Sequence, residues 1–262
     1  MIRLFLDNRT AVLLLLPLLI ALYVLASILG VEQVASDRVH GLFFSQTSSN
    51  DFWAYFGQSF LILVNGVFLN AVFNNHEFLD KNTYIISLIY VVLTPMFVPL
   101  HQFNPVLLAH FFLIATLGVL FYLKQNTDGK MTIFNAGILF SMAVILLPYL
   151  IMLTPIILIM IVIIRPFNWR EFFICLAGIS VPVIYYFSYL FLTNGLTYKW
   201  EFPVWQLHDY RKAWNLYPIA GLYLILLFIS LLSLSARMLK SSLRLKKQIQ
   251  MLGLIFTSLF IL

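Results

Sequence analysis

Apolar residues in this chain come in long unbroken runs, at approximately 10–30, 53–73, 84–100, 106–123, 132–147, 149–164, 172–192 and 215–236, with a ninth beginning near 249. The alternating pattern of a membrane barrel is absent. A helix needs about 20 apolar residues to cross a hydrocarbon layer roughly 30 Å thick. Inside such a layer the backbone must satisfy its own hydrogen bonds, which leaves helices as the spanning element. The pattern therefore predicts an all-α, polytopic transmembrane helical bundle of about eight spans plus a short ninth, forming one integral-membrane domain over 1–262. The last run offers 14 residues from Ile249, about 21 Å as a helix, so the sequence is read as truncated at its C-terminus.

Composition agrees. Hydrophobic residues make up 62% of the chain and charged residues 10%, with 25 phenylalanines, more apolar surface than a soluble domain of this size can bury in one core. The run Ala11 to Leu29 follows Arg3 and Arg9 and has the outline of a signal peptide, with Val34-Ala35-Ser36 as a cleavage site. Its length favours an uncleaved first span.

The region 131–164 reads as one long helix or as two short ones broken at Leu147-Pro148, because proline removes a helix hydrogen bond and restricts the residue before it. Counting basic residues separates these alternatives. Two spans and a cytoplasmic N-terminus place twelve of the 16 Lys and Arg inside and four outside, Arg38, Lys199, Arg211 and Lys212. One span gives eight on each side. The positive-inside bias favours the broken pair. It puts the turn 164–171 and the basic segment 237–248 in the cytoplasm, and loops 31–52 and 193–214 outside. The expected location is a bacterial inner membrane.

Several residues then belong to the cytoplasmic surface. In IRPFNWREFF, at 164–173, Pro166 ends one helix and Glu171 suits the first turn of the next, near Phe172, while Arg165 and Arg170 fix orientation and Trp169 sits at headgroup level. Arg237, Lys240, Arg244 and Lys247 recur at spacings of three, four and three, one face of a helix continuing from the eighth span. Such a face attracts anionic headgroups. Partners are therefore the bilayer and a membrane protein, with no nucleic acid despite the net charge of +6.

Candidate chemistry is sparse. There is no phosphate-binding glycine loop, zinc-protease signature or nucleophile elbow, and no cofactor or metal is expected. Cys175 is the only cysteine, so no intrachain disulfide can form. His110 is the clearest ionisable group inside a run. It reads either as part of a proton path or as a neutral ring bonded to a neighbouring carbonyl. Gln58, Asn65 and Asn70 read as amides that hydrogen-bond to another helix. Outside, Glu32 and Asp37 are candidate catalytic carboxylates, and Arg38, His40, His208, Asp209 and Arg211 candidate substrate ligands. The segment 203–215 has apolar residues at spacings of three and four, so it forms a short interfacial helix. Leu93-Thr94-Pro95 recurs as Leu153-Thr154-Pro155, each followed by Phe-Asn, at 103–104 and 167–168. An inverted repeat would produce this, but chance is the simpler account in so biased a composition.

Phe134-Asn135-Ala136-Gly137, Pro148, then Arg165-Pro166-Phe167, Trp169-Arg170-Glu171, Gly178 and Pro182 make a pattern of their own. It resembles an uncharacterised family of polytopic inner-membrane proteins from Bacteroidota. The departure is that Asn168 alone separates Phe167 from Trp169, where the family pattern has two residues. The resemblance implies the architecture and brings no activity with it. Three functions remain in competition: a non-enzymatic membrane component or scaffold, an enzyme resembling glycosyltransferases that use polyprenyl-phosphate sugars, and a small-solute transporter.

Overall fold

The structure, a computed structural model, describes residues 13–28, 52–76, 78, 82–97, 104–123, 129–194, 221 and 243–261. The chain divides into two compact units, residues 1–197 and 198–262. Among the described residues the first unit is all-helical. Its helices are α1 (Leu15–Ile28), α2 (Phe52–Asn75), α3 (Ile85–Phe97), α4 (Pro105–Phe121), α5 (Lys130–Leu146), a 3-10 segment (Pro148–Leu153), α6 (Thr154–Ile164) and α7 (Trp169–Asn194). The second unit contributes α8 (Leu243–Ile261). Two helices, over Tyr55–Asn75 and Trp169–Thr193, are long and apolar enough to cross a membrane; Leu15–Ala26, Ile85–Pro95, Pro105–Phe121, Lys130–Leu146 and Pro148–Ile164 are shorter apolar helices.

Prolines and asparagines set the boundaries. Leu147 and Arg165 both precede a proline, and both are extended, at φ −134°, ψ 93° and φ −123°, ψ 148°. Proline excludes helical geometry from the residue before it, so α5 and α6 stop where they do. Asn104 caps α4, its side chain accepting from the Val106 amide at 3.0 Å. Asn168 does the same for α7 through the Arg170 amide at 3.1 Å. These two caps cover exposed first-turn donors. With Asn168 as the cap, α7 begins at Trp169 and not near Phe172, so Trp169, Arg170 and Glu171 are helical residues. The two Leu-Thr-Pro sequences play different parts: Pro95 lies inside α3, whereas Pro155 opens α6.

Each helix direction follows from specific contacts. Gly66 of α2 packs on Val91 and Ser87 of α3, and Asn74 donates to the Thr83 carbonyl at 3.1 Å, closing an antiparallel hairpin. Phe68 meets Phe111 with ring centroids 5.3 Å apart and Gly118 meets Val72, so α4 runs parallel to α2. A Cβ at Gly129, just before α5, would collide with the Arg165 guanidinium beyond the end of α6. An unbroken helix over 130–164 would hold those ends about 52 Å apart. The chain therefore reverses at 147–153, as the broken-pair reading requires. α5 covers about 26 Å outward, and the 3-10 turns with α6 cover about 28 Å back.

α7 then starts beside the beginning of α5 and runs parallel to it. Gly137 and Gly178 face each other, and a Cβ on Gly178 would lie 2.5 Å from the Phe134 carbonyl oxygen. Leu16, Ile20, Ile62, Val91 and Leu107 form a core shared by α1 to α4. The alternation brings three connections, 76–84, 122–129 and 165–168, to one end of this unit. There His76 stacks edge-on against Tyr122 at 4.7 Å, and Phe78 against Phe121 at 5.2 Å.

Candidate functional site

Two places in the first unit concentrate polar groups. The deeper one lies where α2, α3 and α4 meet. Asn65, fully buried on α2, donates Nδ2–H to the Leu107 carbonyl of α4 at 2.8 Å. The Tyr90 hydroxyl lies 3.2 Å from Nδ1 of His110 on α4. The Thr94 hydroxyl donates back to the Tyr90 carbonyl at 2.7 Å. These bonds tie α2 and α3 each to α4 through groups that apolar neighbours would otherwise leave unsatisfied.

Asn65 thus behaves as the sequence suggested, and Asn70 does not. Asn70 is also buried, but its Oδ1 has no hydrogen-bond partner, and neither has Oδ1 of Asn65. An orphaned buried acceptor costs about 1–3 kcal/mol. Gln58 Oε1 and Ser59 Oγ of the same helix are likewise buried without a hydrogen-bond partner. Gln58 is buried as well. His110 is half-buried and lies within hydrogen-bond range of the Tyr90 hydroxyl of α3, a partner that neither the proton-path nor the carbonyl reading had named.

The second place is the end where the three connections meet. Arg165 Nη2 pairs with Glu171 Oε1 at 3.1 Å, with side chains only 13% and 6% exposed. The guanidinium lies against Gly129, so one cation ties the start of α5 to the end of α6 and the start of α7. Arg165, expected at the membrane surface, is largely enclosed beside Glu171 in the first turn of α7, which gives it a counter-ion. Arg170 and Trp169 are exposed. Phe167 stacks with Trp169 and Phe172, each at 4.9 Å, making a projecting aromatic group beside Arg170.

The remaining candidates are not brought together. Glu32, Asp37, Arg38, His40, His208, Asp209, Arg211, Arg237 and Lys240 lie outside the described residues, as does the segment 203–215. Arg244 and Lys247 fall within the first turns of α8. Among the described residues no group of three His, Cys, Asp or Glu could hold a metal ion. Sequence reading missed Tyr90 and Glu171 as partners. A single tyrosine in an apolar helix carries no mark of its function until the helix beside it is known.

Neither a curated protein nor a solved structure matches the chain. Residues 38–262 match a family of unknown function, DUF6427, and the chain belongs to that family.

Proposed function

We propose that this is a multi-pass protein of a bacterial inner membrane, with about eight spans and a cytoplasmic N-terminus, acting as a non-enzymatic membrane component or scaffold. The observation that carries the membrane reading is how polar groups on outward faces are satisfied. On α7, Phe173, Ile184 and Leu192 are 66%, 60% and 82% exposed. On the same helix the hydroxyls of Ser180, Ser188 and Thr193 donate to carbonyls of their own helix, at 2.8 to 2.9 Å. Exposed apolar surface on this scale is costly in water. Internally bonded hydroxyls are what a layer without water demands.

Orientation is supported by the shared end of the three connections. Among the described residues, Lys130, Arg165 and Arg170 belong to it. Basic residues gathered at one end favour the cytoplasmic side. The exposed ring cluster at Phe167 and Trp169 suits an interfacial belt there, with anionic lipid headgroups as partners of Arg170.

Thiol labelling tests this. With Cys175→Ala as background, Ser48→Cys and Thr197→Cys react with an impermeant reagent on intact cells, and Thr127→Cys and Asn168→Cys react only after lysis. Labelling of Asn168→Cys in intact cells overturns the orientation. The scaffold reading requires that changes in loop 193–214 release a co-purifying membrane protein while Asp37→Asn and Glu32→Gln fully complement a deletion. Failure of those two variants to complement moves the conclusion to the glycosyltransferase-like enzyme. A small-solute transporter is the second reading, favoured by the unpaired buried oxygens of Asn65 and Asn70 and by the broken segment at 147–153.

A further inference from the structure

We propose that the α5–α6 hairpin is re-entrant: its tip, at 147–153, ends inside the outer half of the bilayer and sets Ile151 and Met152 against lipid acyl chains. Its sequence already differs from that of the other turns. Residues 146–153 read LLPYLIML, without a charge, an amide, a glycine or a serine, the groups on which a turn in water relies. The other connections ahead of α7 all carry them, among them HEFLDKNTY at 76–84, YLKQNTDG at 122–129 and RPFN at 165–168. Ile151 and Met152 are nonetheless 41% and 54% exposed, while Leu147, Leu150 and Leu153 are buried.

The backbone at the tip suits a place without water. Leu147 is the one residue between Lys130 and Ile164 outside a helix, and it is buried. Both of its polar groups are used inside the hairpin: its N–H donates to the Ala143 carbonyl at 2.9 Å, and its carbonyl accepts from the Leu150 amide at 3.0 Å. Pro148 has no N–H to satisfy. At the end of the 3-10 segment the Ile151 carbonyl accepts from both the amide and the hydroxyl of Thr154, the hydroxyl at 2.6 Å. Non-helical backbone at membrane depth is tolerated where protein encloses it and its groups are satisfied internally. Leu147 meets both conditions. Tyr149 is the one polar side chain of the tip, and it is half-buried.

Depth puts the tip short of the outer surface, and here the inference rests on the multi-pass reading. α5 is 17 residues long, about 26 Å, and any tilt shortens its reach. From a start at Lys130 on the cytoplasmic side it does not cross a hydrocarbon core of about 30 Å. α7 is a second measure, because Gly178 lies against Gly137 and the two helices run parallel. Nine residues further on, Leu146 is level with Phe187, and α7 continues for another seven residues, about 10 Å, to Asn194. A hairpin that turns back inside the bilayer returns the chain to the cytoplasmic side, as a pair of full crossings would. The sides assigned to the other loops are therefore the same in either case.

Nitroxide labels on single cysteines test the depth, in a Cys175→Ala background and in vesicles of phosphatidylethanolamine and phosphatidylglycerol. Met152→Cys and Ile151→Cys both replace exposed side chains, so either one reports if the other folds poorly. Ile184→Cys on α7, 60% exposed, samples the lipid-facing surface, and Thr197→Cys samples the outer loop. At the tip, the ratio of collisions with dissolved oxygen to collisions with a water-soluble nickel chelate should match that at Ile184 and exceed that at Thr197 several-fold. A tip label that the chelate reaches as readily as it reaches Thr197, with Ile184 shielded, overturns the re-entrant hairpin and leaves the multi-pass reading standing. Access of the chelate to Ile184 as well overturns both.

Discussion

The crossing of α5 with α7 and the junction of α2, α3 and α4 join helices by opposite means. At the first, Gly137 and Gly178 carry no side chain into the contact, and backbone touches backbone. At the second, Asn65, Tyr90 and His110 reach across and replace apolar packing with directed bonds. A glycine crossing has no slack: its only variable is the closeness of two backbones, and dispersion falls off steeply with distance. A polar junction has slack, since its members keep some partners when one is lost. The first should therefore tolerate almost no substitution, and the second should absorb several.

The largest expected effect tests the first half of that contrast. Gly178→Val places a Cβ 2.5 Å from the Phe134 carbonyl oxygen, an atom that cannot move without its helix. The cost should be about 3 kcal/mol or more, seen as loss of folded yield in detergent; a variant of near-native melting temperature would show that the helices can separate cheaply. Glu171→Ala comes next. It leaves the Arg165 guanidinium in a largely buried place without its carboxylate, for about 2–3 kcal/mol, somewhat below a fully enclosed pair because the turn is near the surface. Addition of Arg165→Met should recover part of that loss, which a double-mutant cycle measures.

Asn65→Leu sharpens the second half. It removes the bond to Leu107 but also removes an orphaned oxygen, so the net loss should be about 1 kcal/mol; a loss as large as that at Gly178 would mean the junction is as intolerant as the crossing. Gly129→Ala should cost less still, about 0.5–1 kcal/mol. Its new methyl meets the tip of Arg165, a flexible side chain, in contrast to the rigid carbonyl that confronts Gly178. Ser180→Ala, on an exposed face and bonded only within its own helix, should stay within about 0.5 kcal/mol in thermal unfolding.

Much of the helical layout was legible before any tertiary contact was known. The apolar runs at 53–73, 84–100, 106–123 and 172–192 correspond to α2, α3, α4 and α7, each end within a few residues. Boundaries moved where a local device outweighed hydropathy: Asn168 drew the start of α7 back to Trp169, and the basic residues from Arg244 onward became the first turns of α8. The run 215–236 falls outside the described residues, Gly221 apart. Of the candidate site, His110 and Asn65 stood out because polar groups in apolar runs are few. Tyr90, Leu107 and Glu171 did not, since a backbone carbonyl has no signature in sequence and a carboxylate beside a turn looks like a solvated one.

By itself, the sequence determined that this chain is helical, where its prolines interrupt it, and how its basic residues are distributed, because each of these depends on neighbours within a few positions. Only the tertiary structure decided that Arg165 pairs with Glu171, that Asn65 reaches the Leu107 carbonyl and that His110 meets the Tyr90 hydroxyl. Those outcomes depend on which side chains come within hydrogen-bond range between different helices, up to 42 residues apart, and local periodicity does not encode such pairings.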